Sequence, residues 1–212
     1  MKRLVLLVTL IINLNACAVS AHLPPTLNLP YATWYIGLAA PRYMEVWVES
    51  VDVIDRRKIL FSNVTGGIAG YTRKAEGWHK GAGATMPINN VDLPDQLYLR
   101  WQSLVEPQTY MINIPIPQWV RDSMLKKENV FCKVAARNMT VYKDTITLGM
   151  APGGIVKVWV GEGCLGYIEV GRFQAKVDPR GPYKGQSKGQ YISIEPENKA
   201  YIDKHGIPYG SW

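Results

Sequence analysis

IGLAAPRYMEVWV, residues 36–48, and LGMAPGGIVKVWV, residues 148–160, are the two stretches on which the fold turns. Five of their thirteen positions are identical without a gap, and the copies begin 112 residues apart. Each opens on a short Gly/Ala/Pro stretch and closes in strict alternation. In the first, Met44, Val46 and Val48 take one face and Glu45, Trp47 and Glu49 the other. In the second, Val156, Val158 and Val160 oppose Lys157 and Trp159. A period of two in β-branched and aromatic residues is the pattern of a β-strand. Further strands are expected at Trp34–Leu38, Ile59–Asn63, Leu97–Leu104, Thr109–Pro115, Val130–Ala136, Met139–Leu148, Tyr167–Val177 and Tyr191–Ile194.

One segment departs from that pattern. Pro117–Glu128 opens with proline, which suits a first helical turn, and its cations gather toward the other end, as the helix dipole favours. Trp119, Val120 and Met124 form its expected buried edge. The sequence therefore predicts a mainly β (β-rich α+β) domain, an antiparallel sandwich or open barrel with one short helix near 117–128. The repeated segment marks either two strands in equivalent places of two similar layers or two unrelated Gly-turn-strand units.

Ahead of this domain lies MKRLVLLVTLIINLNACAVSA, residues 1–21. Two cations precede an apolar run from Leu4 to Ile12, which is too short to span a bilayer as a helix. A basic start, a short apolar run and small residues form the pattern of a secretory signal. Leu14-Asn15-Ala16-Cys17 matches a lipobox, although Asn15 is an unusual occupant. Residues 1–16 are expected to be a lipoprotein signal peptide, with Cys17 as the lipid attachment site. Ordinary signal cleavage near Ala16 or Ala21 is the alternative. Three acyl chains exceed the two hydrophobic signals that stable anchoring needs. Residues 17–30 then form an acylated, Pro-containing tether reaching roughly 40 Å, and residues 31–212 a single globular domain. Ala18 stands where inner-membrane retention would call for Asp, so the expected location is the outer membrane, facing the periplasm.

Removing residues 1–16 leaves 22 of the 24 Lys and Arg residues against 17 Asp and Glu, a formal charge of +5. In an exported protein this balance points to lipid phosphates or an acidic protein partner, not to nucleic acid. Once Cys17 is acylated, Cys132 and Cys164 remain. In an oxidising compartment an even pair is most simply a disulfide, with two buried free thiols as the alternative.

No catalytic constellation emerges. There is no G-x-S-x-G elbow and no Walker-type phosphate loop. His22, His79 and His205 are isolated, without the spacing of metal ligands. Neither an enzyme nor a cofactor or metal site is expected. The most unusual segment is TGGIAGYTRKAEGWHKGAGATMP, Thr65–Pro87, a long glycine-rich stretch. Its Tyr71, Arg73, Lys74, Trp78 and Lys80 combine aromatic and cationic groups, as a protein-binding hot spot does. The competing reading folds Trp78 back onto the sheet.

Three stretches together carry a family resemblance: WYIGLAAPRYMEVWVESVDVID (34–55), LYLRWQSLVEPQTYMINIPIP (97–117) and TLGMAPGGIVKVWVGEGCLGYIEVGRFQA (147–175). They resemble a group of small proteobacterial lipoproteins known as domain of unknown function twenty-nine thirty-one. The resemblance spans Tyr31 to Val177 and brings no catalytic residues with it. It implies a context: such lipoproteins often accompany type VI secretion phospholipase effectors, and some act as periplasmic immunity proteins against them. The expectation that follows is an immunity protein that binds a phospholipase effector and neutralises it. The alternative is a structural or assembly lipoprotein of the envelope.

Overall fold

β1 (Thr33–Ala40), which holds the start of the first repeated segment, is the hub of the molecule in the computed structural model, which describes residues 27–78, 81 and 83–212. On one side β1 runs parallel to β10 (Thr145–Ala151), with Leu38 opposite Leu148. On its other side, β5 (Ala84–Asn89) pairs antiparallel with Thr33–Leu38, and β4 (Gly70–Tyr71) pairs in parallel with Ala39 and Ala40. β11 (Ile155–Glu162) and β12 (Gly166–Gln174) extend this sheet beyond β10 as antiparallel strands. The second sheet is antiparallel throughout. It places β13 (Lys176–Val177), β7 (Gln108–Pro115), β6 (Pro94–Ser103), β2 (Val46–Asp55) and β3 (Leu60–Ile68) side by side in that order. β8 (Glu128–Cys132) and β9 (Arg137–Val141) form a separate two-stranded hairpin.

The alternation in the sequence decides what lies between the sheets. Ile36 and Leu38 of β1, Leu148 of β10 and the three valines of β11 meet Val46, Val48, Leu99 and Trp101 from the facing sheet in one buried core. Val120 and Met124 of α1 (Gln118–Leu125) join the same core. The result is an open β-rich sandwich; neither sheet closes into a barrel.

The repeated segment occupies matching positions. Its first half builds the neighbouring parallel strands β1 and β10, and its second half builds β2 and β11, each second from the edge of its own sheet. What differs is the turn. After β10, Gly153 and Gly154 adopt φ of 76° and 75°, a conformation that glycine reaches without penalty. A Cβ on Gly154 would stand 2.8 Å from the Tyr110 ring of β7, so the turn presses on the facing sheet while β11 doubles back beside β10. After β1 the turn runs through Pro41, Arg42 and Tyr43, and the chain crosses to the other sheet.

Several expectations need correction. The helix stops at Leu125, because Glu128 already begins β8. Trp119 is 43% exposed, while Arg121, 7% exposed, takes a place on the buried face and donates to the carbonyls of Pro94 and Ile116. Met139–Leu148 is two strands broken at Tyr142–Asp144, and Tyr191–Ile194 is not a strand. Thr65–Pro87 is not one long loop: β3, β4 and β5 take up both of its ends. A second helix, α2 (Pro196–His205), was not expected from the sequence. Cys132 and Cys164 are bonded, with Cα atoms 4.8 Å apart.

The pairings give the sheet two distinct ends. At the start of β1, the Tyr31 hydroxyl donates to the Met124 carbonyl, 3.2 Å away, and its ring packs on Tyr142. At the finish of β1 lie β4 and the turn into β2. A strand of 8 residues separates the two ends by about 26 Å.

Candidate partner-binding site

The turn at the end of β1 places Tyr43 in the left-handed region, φ 66°, which costs a side-chain-bearing residue on the order of 1–2 kcal/mol. The stacking of its ring on Tyr201 of α2, centroids 4.0 Å apart and planes within 10°, offsets part of that cost. The Arg42 guanidinium lies 4.9 Å over the Tyr43 ring and 3.7 Å from the Glu197 carboxylate. Parallel pairing with β4 brings the next segment alongside. The Thr72 N–H donates to the Ala40 carbonyl and the Arg42 N–H to that of Lys74, each at 2.9 Å. Between these elements opens a cleft of about 330 Å³ walled by Arg42, Tyr43, Tyr71, Arg73, Glu197 and Asn198.

Beneath the cleft, a buried polar group fixes α2 to the sheet. Glu45 accepts from the Asn198 side-chain amide at 2.8 Å and from the Glu195 N–H at 2.7 Å. The same amide nitrogen donates to the Tyr71 hydroxyl at 2.9 Å. Burial, and then the nearby Glu45 carboxylate, push the Tyr71 phenol up to about 12. Tyr71 is therefore a neutral hydroxyl at physiological pH. Two guanidinium groups beside two aromatic faces suit a partner that offers carboxylates next to apolar surface.

Of the residues singled out in the sequence, Tyr71 and Arg73 line this cleft, and Lys74 is exposed in the adjoining turn. Trp78 is not part of it. The Trp78 ring is half-buried on the outer face of the six-stranded sheet, where it meets Trp159 edge-on. Ala75 and Trp212 sit in a second small core with Met44, Ala151 and Ile155, which pins the segment down. Lys80, His79 and the acylation site Cys17 lie outside the described residues. Sequence reasoning missed Arg42, Tyr43, Glu197 and Asn198. Arg42 and Tyr43 were quoted within the repeat but had no signal linking them to Tyr71. That link depends on the pairing of β1 with β4.

A second polar cluster lies on the outer face of the five-stranded sheet. Arg100, 1% exposed, is bound by Glu49 at 2.5 Å, by Asp178 and by the Gly181 carbonyl. Hydrogen bonds from Arg180, then from Arg100, hold the Asp178 carboxyl well below the usual carboxylate range. A carboxylate held that low stays ionised and makes a weak base, so the cluster serves to clamp the 178–183 segment onto β6. Among the described residues, no group of three or more His, Cys, Asp or Glu is placed to hold a metal ion.

The fold defines a class: a β-rich domain of two facing sheets, fastened by a C-terminal helix. Within it the chain belongs to the family described as Protein of unknown function (DUF2931), whose profile matches residues 20–210. The match runs through α2 and the whole cleft, beyond the stretches that first suggested it. No curated protein and no solved structure matches the chain.

Proposed function

We propose that this chain is an envelope-anchored lipoprotein that acts as an immunity protein, without catalysis of its own, by binding and neutralising a type VI secretion phospholipase effector. The observation that carries the reading is the cleft of Arg42, Tyr43, Tyr71 and Arg73, built at the opposite end of β1 from Tyr31. A domain tethered through its N-terminus presents that cleft away from its anchor, where a partner can reach it. Confinement at the membrane raises effective concentration, so modest intrinsic affinity suffices. Neutralisation is steric, with the cleft rim covering the effector's substrate opening. The resemblance to lipoproteins found beside such effectors supplies the partner's class.

The deciding experiment is co-purification of the mature chain, with Ser in place of Cys17, with the product of the adjacent gene. A stable complex weakened by Tyr71→Ala and Arg73→Glu is the expected result. If no complex forms, and deletion leaves cells fully resistant both to sister-cell attack and to the periplasmically expressed lipase, the reading falls. A structural role in the envelope then takes its place.

A further inference from the structure

We infer that the β8–β9 hairpin is a second, reversible contact with the membrane, inserting its tip into an anionic phospholipid surface. The inference needs no toxin partner; it rests on the proposed N-terminal anchoring together with the hairpin and its position. β8 and β9 pair only with each other, and a lone two-stranded hairpin is marginal in water. The disulfide from Cys132 to Cys164 fastens it to the turn between β11 and β12. What this fastening holds in place is an apolar tip: Phe131 is 57% exposed and Val134 is 91% exposed. Trp119, 43% exposed, adds an aromatic group on the preceding helix. Single exposed apolar residues are ordinary; here they are grouped among cations.

Lys133 and Arg137 are exposed at this tip, and Lys126 and Lys127 are exposed at the base of the hairpin. The one carboxylate of the hairpin, Glu128, is neutralised by Lys143. Cations beside protruding apolar side chains are complementary to lipid phosphates above an acyl layer. Position identifies the occupant. Tyr31 packs between Met124 and Tyr142, at the base of the hairpin, so the chain leading back to Cys17 joins the domain at this same end. The β11–β12 turn, held by Cys164, is at this end too, since Gly161 pairs with Thr145 and Thr145 with Tyr35. A membrane holding the N-terminal segment faces the hairpin, and the cleft of Arg42 and Arg73 then points away from the lipid.

The test is hydrogen exchange of the full chain with and without vesicles of phosphatidylethanolamine and phosphatidylglycerol at three to one. A local readout is required so that binding of the Leu4–Ile12 run does not mimic the result. The amides of residues 131–137 are expected to slow on anionic vesicles and to remain unchanged on phosphatidylcholine vesicles. Phe131→Ser should raise the half-saturating lipid concentration for this protection about tenfold, and Val134→Ser by a similar factor. Neutralising Lys126, Lys127 or Lys133 to Gln should raise it roughly fivefold each. Val134 touches no core, so its variant tests the tip without endangering the fold. Equal exchange with and without anionic vesicles overturns the inference, as does unchanged protection in the Val134→Ser chain. Protection that instead grows with protein concentration in the absence of lipid also overturns it, and makes the tip a contact between copies of this chain.

Discussion

The rings of Trp78 and Trp159 meet edge-on, centroids 5.7 Å apart and planes at 68°, over a glycine that leaves room for both. A Cβ on that residue, Gly149, would lie 2.7 Å from Trp159 and 2.8 Å from Trp78. The contact turns a glycine-rich connection into part of the scaffold. Trp78→Ala is expected to lower stability by about 2–3 kcal/mol in chemical denaturation. Gly149→Ala should cost a comparable amount by forcing the rings apart. A Trp78→Ala chain as stable as the parent would show that the ring pair contributes nothing.

Tyr71 and Arg73 carry the binding prediction. Loss of a true aromatic anchor costs at least about 2 kcal/mol, or roughly thirtyfold in affinity, so Tyr71→Ala should weaken the effector complex by that factor. Arg73→Ala should act on the association rate and flatten its dependence on salt. Both are measured by surface-based kinetics at several ionic strengths. Unchanged constants for both variants would move the contact away from the cleft.

Titration offers an independent check on two clusters. The Asp178 carboxyl is held low in the fold by Arg180 and Arg100, so the stability it supplies is complete above about pH 4 and is lost as pH falls below that. Asp178→Asn should be less stable at neutral pH and show a flatter acid limb in denaturation. For Tyr71 the sign is reversed. Its raised value means a contribution present below about pH 10 and lost as pH climbs toward about 12, which Tyr71→Phe removes.

The disulfide closes a loop with a sequence separation of 32 and should stabilise by about 3–4 kcal/mol in the chain-entropy view. Cys164→Ser is expected to lose that amount and to speed exchange first in the hairpin. Mass spectrometry of the unreduced, denatured chain should find neither of these two cysteines alkylated.

Cys17 lies outside the described residues, and its role is tested in cells. Cys17→Ser should yield a soluble periplasmic protein or an unprocessed precursor. A variant that still fractionates with the outer membrane and migrates unchanged would end the lipoprotein proposal.

β2 was legible because it buries one face and the alternation survives in the sequence. β1 and β11, buried on both faces over most of their length, were legible by their β-branched and aromatic residues. α2 was not. PENKAYIDKH buries only Asn198 fully, so it has no apolar stripe to betray a helix; it is held by a polar bond to Glu45 and a stacked pair of tyrosines. β5 hid behind Pro87, which an edge strand tolerates but a sequence reading counts as a break. Trp119 and Arg121 exchanged their expected exposures because the carbonyls of Pro94 and Ile116 gave the guanidinium buried partners. The cleft joins residues 42–43, 71–73 and 197–198, and no local period encodes such a meeting. Only Tyr71 and Arg73 of it were visible, because aromatic and cationic residues in a glycine-rich stretch are conspicuous by composition alone.

The placement of β1 has a mechanical consequence. On the proposed reading, a chain held at its N-terminal side and gripping a partner is pulled between Tyr31 and the cleft, and those two points lie at the two ends of this one strand. Tension along that line runs through the covalent backbone of β1, flanked by the ladders to β10 and β5. No hydrogen-bonded rung has to open for the load to pass from Tyr31 to Tyr43. The strand that joins Tyr31 to the cleft is thereby the one best placed to bear such a load.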